Sequence, residues 1–79
     1  MKLTYDPRYN VAYLQLQETA NDVKTLQISD DLNIDIAPDG KVLGIEFLNA
    51  NEQLRAGSDA NRLIVLNEAT QREQTVIIE

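Results

Sequence analysis

The 79-residue chain contains no cysteine and no histidine. Without cysteine, neither a disulfide nor a thiolate zinc site can stabilise the fold, and a thiol nucleophile is excluded. Without histidine, a Ser-His catalytic pair and imidazole metal ligands are excluded as well. The three glycines are too few for a phosphate-binding glycine-rich loop of the usual kind. Carboxylates are therefore the main groups left for a catalytic or metal site.

Basic residues are few, and long apolar runs are absent. Seven Lys and Arg against thirteen Asp and Glu give a net charge of −6, and the basic residues form no cluster that would bind a phosphate backbone. No apolar segment approaches the roughly 20 residues that cross a bilayer. Residues 1–10 lack the apolar core of a signal peptide. We therefore expect no nucleic-acid partner, no membrane partner and no cofactor, and we expect a cytoplasmic location.

The small size of the chain favours association. A chain of this length forms one domain, which we place at residues 1–79. Such a domain buries only about 60% of its unfolded surface, and this chain has no disulfide or thiolate metal site to supplement its core. The expected partner is a second copy of the chain or a small protein.

The clearest structural pattern is an alternation of apolar and polar residues on either side of Pro38-Asp39-Gly40. Such alternation is typical of strands with one buried face, and the Asp-Gly pair is typical of a hairpin turn. A two-residue turn at Asp39-Gly40 and a four-residue loop from Pro38 to Lys41 give the same register. We favour this register over that of a three-residue loop, which would mix apolar and polar residues on both faces. The favoured register places Leu32 opposite Phe47, Ile34 opposite Ile45, and Ile36 opposite Leu43.

Similar patterns extend the prediction to the rest of the chain. Leu3 and Tyr5 can pair with the run from Ala12 to Leu16 as a first hairpin. Leu26 and Ile28 are the buried candidates of a third strand, which a turn at Asp30-Asp31 joins to the central hairpin. The sequence thus predicts a mainly β fold with a minor α component: an antiparallel β-meander of five to seven strands with one short helix near residues 49–56.

The helix and the C-terminal third have signals of their own. Asn49 and Glu52 fit a capping box, and Gly57 fits a C-terminal cap. The apolar runs 63–66 and 76–78 predict a second hairpin, and their continuity suggests cover on both faces. We therefore divide the domain into residues 1–56, the β-meander with its helix, and residues 57–79, a hairpin extension. With 58–60 as a linker, this extension could instead pack on a partner subunit.

One stretch partly matches a calcium-binding loop. Asp35, Asp39, Gly40 and Glu46 occupy loop positions 1, 5, 6 and 12. Position 3 is Ala37, which has no side-chain oxygen, and the flanking residues predict strands. A hairpin with an Asp-Gly turn explains the same residues, so we predict no metal site, with Asp35, Asp39 and Glu46 as the only candidate ligands.

The polar face of the central hairpin is the candidate interaction face. The favoured register places Asp35 opposite Gly44, where the absence of a side chain permits close approach. This face is a solvated surface, a protein-contact surface or a carboxylate site. We assign the candidate interaction residues as Asn33, Asp35, Gly44, Glu46 and Tyr13.

Several short motifs together resemble a known family. They are Tyr5-Asp6-Pro7, the run 12–16, Asn33-Ile34-Asp35, Asp39-Gly40 and the run 44–50. In order and spacing they are similar to the domain of unknown function 2283 family, small prokaryotic proteins without an established activity. The resemblance covers roughly residues 1–55. The chain departs from the family pattern at Asn10, where an aspartate is common. The resemblance does not extend over the tail from Gly57.

The resemblance implies an antitoxin-like binding role, since some members are encoded beside small toxin-like proteins. Together with the residue patterns, it favours a non-enzymatic protein-interaction module that associates with itself or with a small protein. The alternative is a small carboxylate-based metal-binding protein or enzyme using Asp35 and Glu46.

Overall fold

The computed structural model describes residues 1–18, 21–54 and 62–77. It confirms a mainly β fold of antiparallel sheets with one short helix. Within the described residues, no helix has the length and apolar character needed to cross a membrane. The elements in chain order are β1 (Lys2–Asp6), β2 (Val11–Gln15), β3 (Lys24–Ser29), β4 (Leu32–Ile36), β5 (Val42–Leu48), α1 (Ala50–Leu54), β6 (Arg62–Asn67) and β7 (Arg72–Ile77).

Five strands form one sheet in the order β1-β2-β5-β4-β3. Consecutive strands are neighbours within β1–β2 and within β3–β4–β5, and every pair is antiparallel. The predicted first hairpin is present, and its register places Leu3 opposite Leu14 and Tyr5 opposite Ala12. β2 and β3 follow each other in the chain but are not neighbours in the sheet. β3 lies at the edge opposite β1, and β2 pairs with β5.

The register gives this sheet one apolar face and one polar face. Only Ala12, Leu43 and Ala50 are buried hydrophobic residues among those described. Apart from Ala12, the members of the apolar face are partly exposed, which is expected when a sheet has only a short helix packed at one end. The apolar face consists of Leu3, Tyr5, Ala12, Leu14, Leu26, Leu32, Ile34, Ile36, Ile45 and Phe47.

The central hairpin has the predicted register over most of its length but a different turn. Leu32 pairs with Phe47 and Ile34 with Ile45, as expected, whereas Ile36 pairs with Val42 and not with Leu43. The turn is a three-residue loop: the Ala37 amide donates to the Lys41 carbonyl, and Gly40 has a φ of 88°. A bulge between the pairs Asp35–Gly44 and Ile36–Val42 leaves Leu43 as an extra residue in β5, and it restores the register that this loop would otherwise shift.

A second bulge corrects the register between β3 and β4. Ser29 pairs with Leu32 across the predicted turn at Asp30-Asp31, and the register then shifts between Gln27 and Ser29. The shift places Leu26 opposite Ile34 on the apolar face. Ile28, which we expected to be buried, lies in the bulge and is 56% exposed. The prediction for Ile28 was wrong because the bulge interrupts strict alternation.

Asn10, in the turn after β1, caps the N-terminus of α1. Its side-chain oxygen accepts a hydrogen bond from the Asn51 amide at 2.8 Å, and its carbonyl accepts one from the Ala50 amide at 2.9 Å. The predicted capping box is only partly present: the Asn49 side-chain amide donates to the Glu52 carboxylate at 2.8 Å. The first free amides of the helix are thus satisfied from another part of the chain.

The C-terminal hairpin forms a sheet of its own from β6 and β7. Its loop is well defined, since the Gln71 amide donates to the Asn67 carbonyl and the Asn67 side chain accepts from the Ala69 amide. Every residue of both strands is exposed, so the described part of the chain does not supply the predicted cover on two faces. The predicted helix cap at Gly57, the linker at 58–60 and Ile78 lie outside the described residues.

Substitution of Asn10 tests the helix cap. Asn10→Ala should lower the free energy of unfolding by about 1–2 kcal/mol, because it removes the cap and places alanine at a left-handed φ. Asn10→Gly separates the two causes, since glycine relieves the backbone strain but restores no cap. Urea denaturation measures both, with the exposed Asn21→Ala as control. An unchanged midpoint for Asn10→Ala would contradict the capping role.

Candidate functional site

Tyr13 and Asp35 meet across Gly44 on the polar face of the sheet. The Tyr13 hydroxyl donates a hydrogen bond to Asp35 Oδ2 at 2.8 Å, and the Thr25 hydroxyl donates to Asp35 Oδ1 at 2.6 Å. Gly44 lies between them in the sheet, since it pairs with Asp35 on β4 and with Gln15 on β2. These contacts link β2, β4 and β3, and they use both oxygens of the Asp35 carboxylate.

Gly44 is the residue that permits this arrangement. A Cβ at this position would overlap the hydroxyl and the ring of Tyr13. Tyr13 therefore lies over the backbone of Gly44, and it is the group whose close approach the missing side chain permits. This contact explains the glycine in the middle of a strand, where it would otherwise weaken the sheet.

The other two predicted residues form a neighbouring pair. Asn33 and Glu46 are opposite each other in β4 and β5, and the Asn33 side-chain amide donates to Glu46 Oε1 at 2.9 Å. The structure thus brings all five predicted interaction residues onto one face. Their polar groups contact one another, and Gln15 and Gln17 line an open depression beside Tyr13.

Burial and the adjacent carboxylates alter the acidity of Tyr13. Partial burial, which disfavours the phenolate, is the main cause that raises the pKa of Tyr13 above its ordinary value. The hydrogen bond to Asp35 raises this pKa further, because it requires the phenol proton. The charges of Asp35 and Glu46 act in the same direction. Tyr13 is thereby held as a neutral hydrogen-bond donor.

The candidate metal ligands do not form a site among the described residues. The structure has no group of three or more carboxylates within residues 1–18, 21–54 and 62–77 that could hold a metal ion. Asp39 lies in the hairpin loop, where its Oδ1 accepts a hydrogen bond from the Lys41 amide at 3.0 Å. Asp35 and Glu46 lie on the paired strands. The positions that match a calcium loop are therefore distributed along a β-hairpin.

The hairpin β6–β7 is a second candidate site, of apolar character. The register places large apolar residues on both of its faces, and each of them is 44–55% exposed. Two-stranded hairpins are at best marginally stable alone in water, so apolar contacts with another surface would stabilise this element. Its exposed apolar residues are Leu63, Ile64, Val65, Leu66, Val76 and Ile77.

Two contributing residues were missed in the sequence. Thr25 faces Asp35 only because of the bulge at Ile28, and β-bulges have no sequence signature as specific as a hairpin turn. Asn10 caps a helix that begins 40 residues later in the chain. The departure from the family pattern at Asn10 was the one signal that singled out this position.

The contact between Tyr13 and Gly44 predicts strong coupling between the two residues. Gly44→Ala should cost about 1–3 kcal/mol of stability, because the new methyl group must displace the Tyr13 ring. In a Tyr13→Ala background the same substitution should cost little, since the space is then free. A double-mutant cycle by urea denaturation measures the coupling. Additive effects would show that the two side chains do not compete for this space.

The raised pKa of Tyr13 predicts a loss of stability in alkali. The folded chain retains the Tyr13 proton at a pH where the unfolded chain, with a tyrosine pKa of about 10, has lost it. The stabilisation is therefore complete below pH of about 10 and is lost as the pH rises through the folded pKa. Tyr13→Phe should reduce this decline in urea-unfolding experiments. Subtracting the absorbance titration of Tyr13→Phe from that of the natural chain gives the titration of Tyr13 alone, and this is done once for the folded proteins and once in urea. If the folded and the urea curves of Tyr13 superimposed, the shift in its pKa would be contradicted.

Comparison with known proteins assigns the first part of the chain to a family. The model of the family described as "Protein of unknown function (DUF2283)" matches residues 2–51, which include all five strands of the larger sheet. No curated protein and no solved structure matches the chain. The matched residues include the polar face, whereas the exposed hairpin lies beyond them. The match covers more than half of the chain, and the chain therefore belongs to the DUF2283 family.

Proposed function

We propose that this chain is a non-enzymatic protein-interaction module that associates with itself or with a small protein in an antitoxin-like way. The observation that carries the proposal is the exposure of apolar residues on both faces of β6–β7. Fully burying one such side chain contributes about 1.5–3 kcal/mol, so burying the exposed halves of several of them would stabilise a complex substantially. The proposed location is the cytoplasm.

The register of the hairpin supports a contact surface on each side. Leu63 lies opposite Val76, with Val65 next on the same face. On the other face, Ile64 and Ile77 lie near each other on neighbouring strands. An ordinary half-buried hairpin would be polar on its solvent side, whereas this one is apolar on both. Binding through a face explains the pattern better than binding through an edge, which would leave all of these side chains in water.

The arrangement of the carboxylates favours a structural role for the polar face over catalysis. Both oxygens of Asp35 accept hydrogen bonds from side chains of the sheet, and one oxygen of Glu46 accepts a hydrogen bond from Asn33. A carboxylate in these contacts has lost much of its capacity to bind a metal or take a substrate proton. We therefore place the binding function on the hairpin.

Introducing a charge on the hairpin tests the proposal. Val65→Asp should weaken association by at least about tenfold, because a carboxylate would be buried in an apolar contact. The five-stranded sheet should survive, since Val65 is 48% exposed and lies in the separate sheet of β6 and β7. Ala69→Asp is the matched control, because it adds the same charge in the hairpin loop.

Two measurements follow each variant. Sedimentation equilibrium at high micromolar concentration reports self-association, and purification of tagged protein from the native host, with mass determination, reports other partners. The proposal fails if the protein is a monomer and recovers no partner whose capture depends on Val65. It also fails if Ala69→Asp and Val65→Asp weaken association equally.

A further inference from the structure

The apolar face of the five-stranded sheet lacks cover within the part of the chain that the structure describes. Leu14 and Ile45 in its interior are partly exposed, and so are Leu3 and Leu26 nearer the edges. The extensive contacts are between neighbouring strands, and α1 has five residues. A single layer of sheet requires a second layer on its apolar side to form a core. The fold therefore presents one uncovered sheet face and one uncovered hairpin.

The exposure of described side chains indicates how much cover is missing. Six large apolar side chains of the hairpin are 44–55% exposed, and every residue of the sheet's apolar face except Ala12 is partly exposed. The two elements thus present two apolar surfaces of similar strand length, which a second copy of the chain can bring together.

Charge and dimensions match the two uncovered surfaces to each other. The described hairpin carries two arginines and two glutamates and is therefore neutral, although the chain as a whole carries −6. In the larger sheet, the acidic side chains Asp6, Asp35 and Glu46 all lie on the polar face, and Lys24 is the charged residue of the apolar face. Strands of six residues span about 20 Å, close to the length of the strands in the sheet.

We propose that a second copy of this chain supplies the missing cover, and this inference rests on the proposed interaction function. In a two-fold dimer, the β6–β7 hairpins lie between the apolar faces of the two five-stranded sheets. This arrangement gives each apolar face of the hairpin a partner, and it buries the sheet face that the monomer leaves exposed. Identical chains are not repelled at this contact, because the acidic groups of both sheets point away from it.

Introduced cysteines test the arrangement, since the natural chain has none. Val65→Cys protein is mixed with isotopically labelled Leu26→Cys protein, and a short bis-maleimide joins thiols that lie close together. The matched control is Gln27→Cys, which places the thiol one residue further along β3 and on the polar face. Circular dichroism confirms that each variant is folded, and mass spectrometry assigns the cross-links between labelled and unlabelled chains.

The proposal requires a dimer in sedimentation equilibrium and cross-links between residues 65 and 26 of different chains. These should exceed cross-links between residues 65 and 27 by at least about tenfold, because the sheet separates its two faces. Equal cross-linking to residues 26 and 27, or cross-links only between two copies of residue 65, would overturn the placement. A monomer whose capture of another protein depends on Val65 would overturn the second copy as occupant but leave the proposed function intact. A monomer without such a partner would overturn both.

Discussion

The structure depends on keeping one apolar face in register across five strands. Side chains alternate between the faces of a sheet, so a shift of one residue in any pairing would turn apolar groups to the polar side. The turn lengths of both central hairpins would cause such a shift. Bulges at Ile28 in β3 and at Leu43 in β5 cancel this shift. Leu26, Ile34 and Ile45 consequently align in a row across β3, β4 and β5. The exposed Ile28 is the local cost of this alignment.

The same alignment builds the polar face. Once the apolar residues are in register, Thr25 and Asp35 lie opposite each other, and Asp35 is opposite Gly44. Tyr13 can then cross the glycine and reach the carboxylate. Four side-chain groups of the polar face thus form hydrogen bonds with one another or with Thr25: Tyr13 and Thr25 donate to Asp35, and Asn33 donates to Glu46. This network reinforces strand pairing, because its contacts join side chains from different strands.

The sequence predicted the features that depend on neighbouring residues. Alternation identified the pairs Leu32–Phe47 and Ile34–Ile45, and the family motifs identified the first fifty residues correctly. It could not predict that β2 pairs with β5, because two antiparallel strands of similar patterning are interchangeable until the whole sheet is assembled. The loop at Pro38–Gly40 was assigned the wrong length for a related reason: the register was inferred on the assumption of an uninterrupted ladder. All five residues of the predicted interaction face share one face, but the hydrogen bonds among them required the three-dimensional arrangement of three strands.

The exposed hairpin has a different energetic status from the sheet. The larger sheet has five paired strands, a polar network and a capped helix. The hairpin has its ladder and its loop bonds, and two strands alone bury too little apolar surface to offset the entropy of ordering them. Binding of a partner would therefore stabilise the folded hairpin, and this stabilisation would rise with partner concentration by mass action. In the proposed complex, the six exposed apolar residues of the hairpin would be buried, and their burial would stabilise the paired strands.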